Sequence, residues 1–350
     1  MVAGIMRVKN EGTFIKDCIE SCIDALDELI VVHNDCTDNS VEEIDKMVAK
    51  YPDKIKKYEY PHTIKAFNLS REEFEHVRNL PEGHPQLFST YSNFALSKTD
   101  ADYAMKIDAD QIYFTDKLKR LTDFMRGCSP MRITPGVIMG RLFQYYLSAF
   151  RFMSMKAKRV LPLMPSWLLR MMRPCYMSYA KYAFSHGEAC MSLSGVNILD
   201  AGGKHISMGH QSDILQMLPP FNGVGDTVVF KKSDKTYFRT VVMDEYNTED
   251  TKDYSVVEEF VHPYKRVTYI GYFWEHVRTM RPNVKEKALM AKTADAGAFV
   301  ALDEFRNKSY RHIMEEASNE SFHLYHRILF NFIYKAFKSE LMETLKTRWK

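Results

Sequence analysis

Glycine is scarce, at 15 of 350 residues, and no Gly-x-Gly-x-x-Gly follows the first apolar run, so the dinucleotide-binding fingerprint of dehydrogenases is missing. Residues 2–13 also lack the Gly-rich, Arg-containing phosphate loop that a sugar-phosphate nucleotidyltransferase requires. The six cysteines follow neither a disulfide framework nor a zinc spacing; Cys18 and Cys22 are simply one helical turn apart, and a reducing compartment is expected. Long apolar runs are absent as well. The stretch between Arg159 and Arg170 holds ten residues, short of the roughly 18 that a membrane span needs. Arg7 and Lys9 interrupt the apolar start, so no signal peptide is expected. These absences predict a protein that is cytoplasmic or peripheral on the inner face of a membrane.

Acid is missing from one region. Residues 124–187 contain ten basic residues and no Asp or Glu, although the whole chain carries a net charge of only +3. Phe, Tyr, Met, Leu and Trp167 are interleaved with those cations. Such a block would be drawn to an anionic membrane surface at about 1 kcal/mol per basic residue near the headgroups. The other reading is a solvated helical insertion whose apolar residues pack on the core; nucleic acid is not an expected partner. The segment 321–350 repeats the theme, with six basic residues against two acidic and apolar residues at helical spacing, as an amphipathic basic helix.

What remains is ordinary globular composition, 45% hydrophobic and 27% charged, in a chain long enough for two units or one elaborated domain. The first 125 residues alternate strand and helix signals. Val2 to Val8, Leu29 to Val32, Lys54 to Tyr60 and Tyr103 to Ile107 read as strands. Helical patterns run from Phe14 to Leu26, from Ser40 with Glu43 in a capping-box spacing, and from Gln86 to Ser97. Strands separated by helices predict an α/β, doubly wound, mostly parallel sheet with helices on both faces. The loops at 9–13, 33–39 and 108–111 would then converge at the carboxyl ends of the strands, where such sheets collect ligands. From about residue 266 the signal is read as helical. The expected organisation is a donor-binding half at 1–125, a basic helical insertion at 126–187, an acceptor-binding half at 188–265 and a C-terminal helical extension at 266–350.

Two carboxylates one residue apart, Asp108 and Asp110, follow the apolar strand and can grip one hard cation, Mg²⁺ or Mn²⁺. Asp100-Ala101-Asp102 has the same form but precedes that strand and reads as a turn. Position distinguishes the two.

The sequence from Val2 to Ile44, followed by Tyr91 to Gln111, resembles the nucleotide-sugar-binding half of family 2 glycosyltransferases with the GT-A fold, of the bacterial glycan, lipopolysaccharide or capsule type. Three ordered pieces carry the resemblance: an Asn-Glu loop after the first strand, a Val-Val to Thr-Asp-Asn-Ser loop after the second, and a strand ending in Asp-x-Asp. It implies that Arg7, Lys9, Asn10 and Glu11 lie beside the nucleotide, and that Asn34 or Asp35 faces the base. Asn93 would line the donor pocket, Asp108, Ala109 and Asp110 would meet the metal and sugar diphosphate, and His262 would be a further metal ligand. The general base is expected at Asp226, in Gly225-Asp226-Thr227, with Glu188 in reserve. Two departures stand out: His33-Asn34 where the family usually has two acids, and Arg-Val-Lys where it often has Pro-Val-Tyr. The processive Gln-x-x-Arg-Trp motif is absent, so single addition is favoured. His205 and His210 lack a helical ligand spacing, and Trp274 is either a sugar-stacking platform or a core residue.

The resemblance thus implies a metal-dependent, inverting transferase that moves one sugar from a nucleotide diphosphate donor, UDP favoured, to a glycan or lipid-linked glycan acceptor. The rival reading is a catalytically silent GT-A-fold binding or scaffolding subunit at a membrane surface.

Overall fold

The computed structural model describes residues 1–67, 69–155, 164–200, 204–207, 221–243, 254–281, 285–287, 289–290 and 299–301. The predicted helix at 321–350 and His210 lie outside the described residues. The chain divides into two compact units, 1–127 with 229–265, and 128–228 with 266–350.

In the first unit the order is β1 (Val2–Val8), α1 (Ile15–Cys22), β2 (Glu28–His33), α2 (Ser40–Lys50), β3 (Ile55–Glu59), α3 (Arg71–Val77), α4 (Phe88–Leu96), β4 (Tyr103–Asp108), β5 (Gln111–Tyr113) and α5 (Thr115–Arg126). β1 pairs in parallel with both β2 and β4, and β2 with β3. The near-continuous apolar strands β1 and β2 are buried along almost their whole length, as a parallel sheet covered on both faces requires. The spatial order 4-1-2-3 reverses between β1 and β4. Right-handed crossovers then put α1 and α2 on one face and the return through α4 on the other. β8 (Phe221–Lys231) contributes residues 229–231, antiparallel to β4. A separate antiparallel pair, β9 (Tyr237–Met243) and β10 (Ser255–Val261), packs on α4.

The capping box expected at Ser40 and Glu43 does not form. Asp38 accepts from Ser40 N at 3.0 Å, Ser40 Oγ accepts from Glu11 N at 2.7 Å, and Glu43 instead pairs with Lys46. Asp38 wins because it can reach the helix N-terminus and Gly12 N, at 3.0 Å, together. A complete capping box stands at Ser70 and Glu73 of α3.

The second unit contains α6 (Pro135–Met155) and α7 (Ser166–Ser185), both within the acid-free block. Its strands are β6 (Ala189–Asp200), β7 (Lys204–Ser207), β11 (Arg266–His276) and β12 (Phe299–Ala301). β11 pairs in parallel with β6, and β7 is antiparallel to both β6 and β12. Arg266–His276, expected to open a helical extension, is therefore a strand. Its run Val267 to Trp274 is rich in β-branched and aromatic residues and mostly buried, and a short apolar run of this kind has no period that separates strand from helix. Trp274 is wholly buried against Gly195, where a Cβ would collide with the indole, so it is a core residue and not a stacking platform.

α6 and α7 cross at Gly140, where an added Cβ would meet the carbonyl of Cys175 and the Cβ of Tyr179. Alanine at an unconstrained helix position is better than glycine by about 1 kcal/mol. Here the sign should invert: Gly140→Ala is expected to destabilise by about 1–3 kcal/mol through overpacking. A denaturant titration showing the variant more stable than the parent would contradict the crossing.

Candidate functional site

The switch of strand order places the carboxyl ends of β1 and β4 side by side, with Arg7 in register with Asp108 and Val8 with His33. Ligand sites in open α/β sheets lie outside such reversals. The side chain of Arg7 is about nine-tenths buried. Its Nη1 donates to Glu258 Oε1 at 2.5 Å and to Ser92 Oγ, Nη2 lies 4.0 Å from Asp108 Oδ1, and the guanidinium sits 4.5 Å from the Phe88 ring centroid. Burial would lower the Arg7 pKa, but Glu258 and Asp108 outweigh it and the value is raised, so the charge is permanent.

Asp108, at the end of β4, is one-third exposed. Lys106 Nζ lies 3.4 Å from its Oδ2, and Gln111 Nε2 donates to the same oxygen at 3.3 Å. Tyr113 OH donates to Gln111 Oε1 at 2.5 Å and so fixes the amide's orientation. Ala109 and Asp110 form the turn into β5, and both are buried. Cys18 Sγ donates to the Asp108 carbonyl at 3.4 Å, and burial holds that thiol well above its ordinary pKa.

The loops after β1 and β2 are tied to one another. Asn10 Oδ1 accepts from Thr37 N at 2.7 Å, and the Glu11 and Gly12 amides are held by Ser40 and Asp38. A Cβ at Gly12 would meet the end of the Asn39 side chain, which would have to turn aside. Asn10 and Asp35 adopt φ of 56° and 42°, in the left-handed region that Asn and Asp tolerate best. Lys9 and Asp35 form an exposed pair at 3.9 Å.

Two of the expected site residues serve the scaffold. Asn93 clamps the backbone of β9, with Nδ2 to Phe238 O at 2.7 Å and Oδ1 accepting from Phe238 N at 2.8 Å, so its amide is spent within the fold. Asn34 is buried and donates to the carbonyls of Tyr60 and His62 at 2.9 and 2.6 Å. Of the two candidates for the base contact, only Asp35 is solvent-accessible. Neighbouring His33 is buried too, and burial followed by Lys57 lowers its pKa, leaving a neutral ring at neutral pH.

His262 follows β10, between the rings of Phe260 and Tyr264, and its Nδ1 is buried with no hydrogen-bond partner among the described residues. Among the described residues no group of three or more His, Cys, Asp and Glu side chains is arranged to hold a metal, so His262 is not gathered with Asp108 and Asp110. Asp226 is on β8, inside a strand and not at a Gly-rich turn; its side chain lies outside the described residues. Glu188 precedes β6.

Lys106, Gln111 and Glu258 were missed from sequence. Glu258 had a signal: it falls in phase with Val256 and Phe260 on β10, and an acid on an apolar face needs a buried partner.

Removing one member of a buried pair leaves the other charge stranded, at a cost of about 3–5 kcal/mol. Arg7→Met should destabilise the protein by that order in a denaturant titration. Adding Glu258→Leu should recover most of the loss, because both charges then disappear. A double variant no more stable than Arg7→Met would show that the stranded carboxylate is not the cause.

Residues 2–126 match the family model described as beta-1,4-N-acetylgalactosaminyltransferase (CgtA). No curated protein matches the chain. Among solved structures, S. aureus TarS 1–349 in complex with UDP-GlcNAc is 12% identical, with 96% of this chain and 72% of that one covered and a TM-score of 0.36. Glucosyl-3-phosphoglycerate synthase from Mycobacterium tuberculosis, with Mn²⁺, UDP and phosphoglyceric acid, is 20% identical over 32% of this chain and 34% of that one, with a TM-score of 0.19. The family match spans the same three loops that carry the sequence resemblance to the nucleotide-sugar-binding half of family 2 glycosyltransferases.

Proposed function

We propose that the protein transfers a single N-acetylhexosaminyl or hexosyl group from a UDP-sugar to a glycan or lipid-linked glycan acceptor, with inversion at the anomeric carbon. The observation that carries this reading is the one-third-exposed Asp108 beside buried Arg7 at the switch point of the sheet. The family name attached to residues 2–126 supports the amino-sugar class.

The donor set at Asp108 and Asp110 suits a divalent cation. Mg²⁺ and Mn²⁺ are commonly held through one or two carboxylates and completed by phosphate oxygens and water, so a third protein ligand is not required. The ion would supply Lewis-acid stabilisation of the departing diphosphate. The chain's own residues do the rest. Arg7, charged at every working pH, sets a positive potential where the diphosphate develops charge. Gln111 and Tyr113 hold the Asp108 carboxylate in one orientation. The tied loops at 9–13 and 33–39 present Lys9, Asn10, Glu11 and Asp35 to the nucleotide. Asp226 is the proposed base: it takes the proton of the acceptor hydroxyl as that oxygen attacks the anomeric carbon.

A thermal-shift panel of UDP, GDP, CDP, CMP and UDP-sugars, with and without Mn²⁺, tests the donor. At 100 times its dissociation constant a ligand adds about 2.7 kcal/mol. A UDP species should stabilise the parent only with metal, and Asp108→Asn should abolish that shift; an equal shift in the variant would remove Asp108 from the site. For the base, Asp226→Asn should lower kcat by about 10²–10⁴ with KM little changed. Full turnover in that variant would dismiss Asp226, and an anomeric assignment of the product by NMR decides inversion against retention.

A further inference from the structure

The helices α6 and α7 each expose one apolar stripe. On α6, Ile138, Leu142 and Tyr145 recur at three- and four-residue spacing and are 52%, 56% and 45% exposed. They lie on the side of the helix away from Gly140, Phe143 and Leu147, which are buried. On α7, Trp167 and Met171 repeat the pattern at 58% and 62% exposed. Single exposed apolar residues are normal on any protein, but stripes in helical phase on two successive helices are not. Each stripe is flanked by exposed cations, Arg141 on α6 and Arg170 and Lys181 on α7. No acidic residue occurs anywhere from 124 to 187.

We propose that these two helices form a docking surface for a bilayer containing anionic phospholipid. The apolar stripes enter the boundary between headgroups and acyl chains, and the flanking cations meet lipid phosphates. The charge pattern selects this occupant over the others. A second copy of the chain would bring another acid-free, cationic face against this one, and like charges repel. Nucleic acid would satisfy the cations but leave the apolar stripes in water. A spanning mode is not available, since no helix among the described residues is long and apolar enough to cross a membrane. The helices therefore lie on the surface. This inference is independent of the donor or acceptor assigned to the site.

The test is co-sedimentation of the full chain with large unilamellar vesicles of phosphatidylcholine alone or with about one third phosphatidylglycerol, an anionic lipid. Binding to the mixed vesicles is expected, with little to the neutral ones, and raising ionic strength from about 0.1 M to about 1 M should release the protein. Leu142→Asp/Met171→Asp should lower partitioning by about tenfold or more while the thermal midpoint is unchanged, since both positions are exposed. Tryptophan emission should shift to the blue on binding, and Trp167→Phe should abolish the shift. Undiminished binding by the double variant would place the contact elsewhere and overturn the proposal. So would failure to bind either vesicle, or a dimer in sedimentation equilibrium that the double variant dissolves.

Discussion

The first unit depends on one buried cation. The Arg7 guanidinium sits where β1 ends and joins three elements far apart in sequence: α4 through Ser92 and Phe88, β10 through Glu258, and the end of β4 through Asp108. A charge removed from water is tolerated only when its donors are met, and here carboxylates, a hydroxyl and an aromatic face meet them. The arrangement also orders the site. Because Glu258 and Ser92 take one arm of the fork, the other is directed toward Asp108, and the positive potential stands in a fixed place. Preorganised charge of this kind avoids reorganisation at the moment of reaction.

Around that cation the loops are built by side-chain substitution for missing backbone partners. Asp38 serves both Gly12 N and the start of α2, Ser40 serves Glu11 N, and Asn10 serves Thr37 N. Tyr91, from α4, accepts from Val8 N at 3.3 Å and donates to Val32 O at 2.5 Å, so its hydroxyl stitches the ends of β1 and β2 together. Burial raises its pKa, so it remains a neutral donor. Left-handed backbone at Asn10 and Asp35 fits this scheme, since conformations of that kind persist where surrounding contacts over-determine them.

Much of this was legible in the sequence where a period or an ordered motif existed. The four parallel strands lie within a residue or so of the apolar runs that marked them, and the three loops do converge on the reversal of strand order. What failed did so for local physical reasons. Ser40 and Glu43 have capping-box spacing, but spacing does not reveal that Asp38 competes for the same amide. Asn93 and Asn34 are polar residues in the right stretch of chain, yet an amide can serve a ligand or a backbone equally well, and only the fold shows Phe238 and Tyr60 as their partners. At 267–274 a mostly apolar run carries no period that separates strand from helix, and only its pairing with β6 identifies β11 as a parallel strand.

The least legible feature is that the first unit is discontinuous. The family match ends at residue 126 and the first segment of the unit at 127, which suggests a self-sufficient module. The contacts argue otherwise. Without 229–265, the edge of β4 loses its antiparallel partner at 229–231, and α4 loses the β9 backbone that Asn93 clamps. Arg7 would lose Glu258, its closest counter-charge, and face the cost of a buried unpaired ion. Residues 251 positions apart must therefore meet before the carboxyl end of β1 is electrostatically complete. The return of the chain thus completes the surroundings of Arg7, and Glu258, remote from every motif that carried the sequence resemblance, belongs to the same constellation as Asp108.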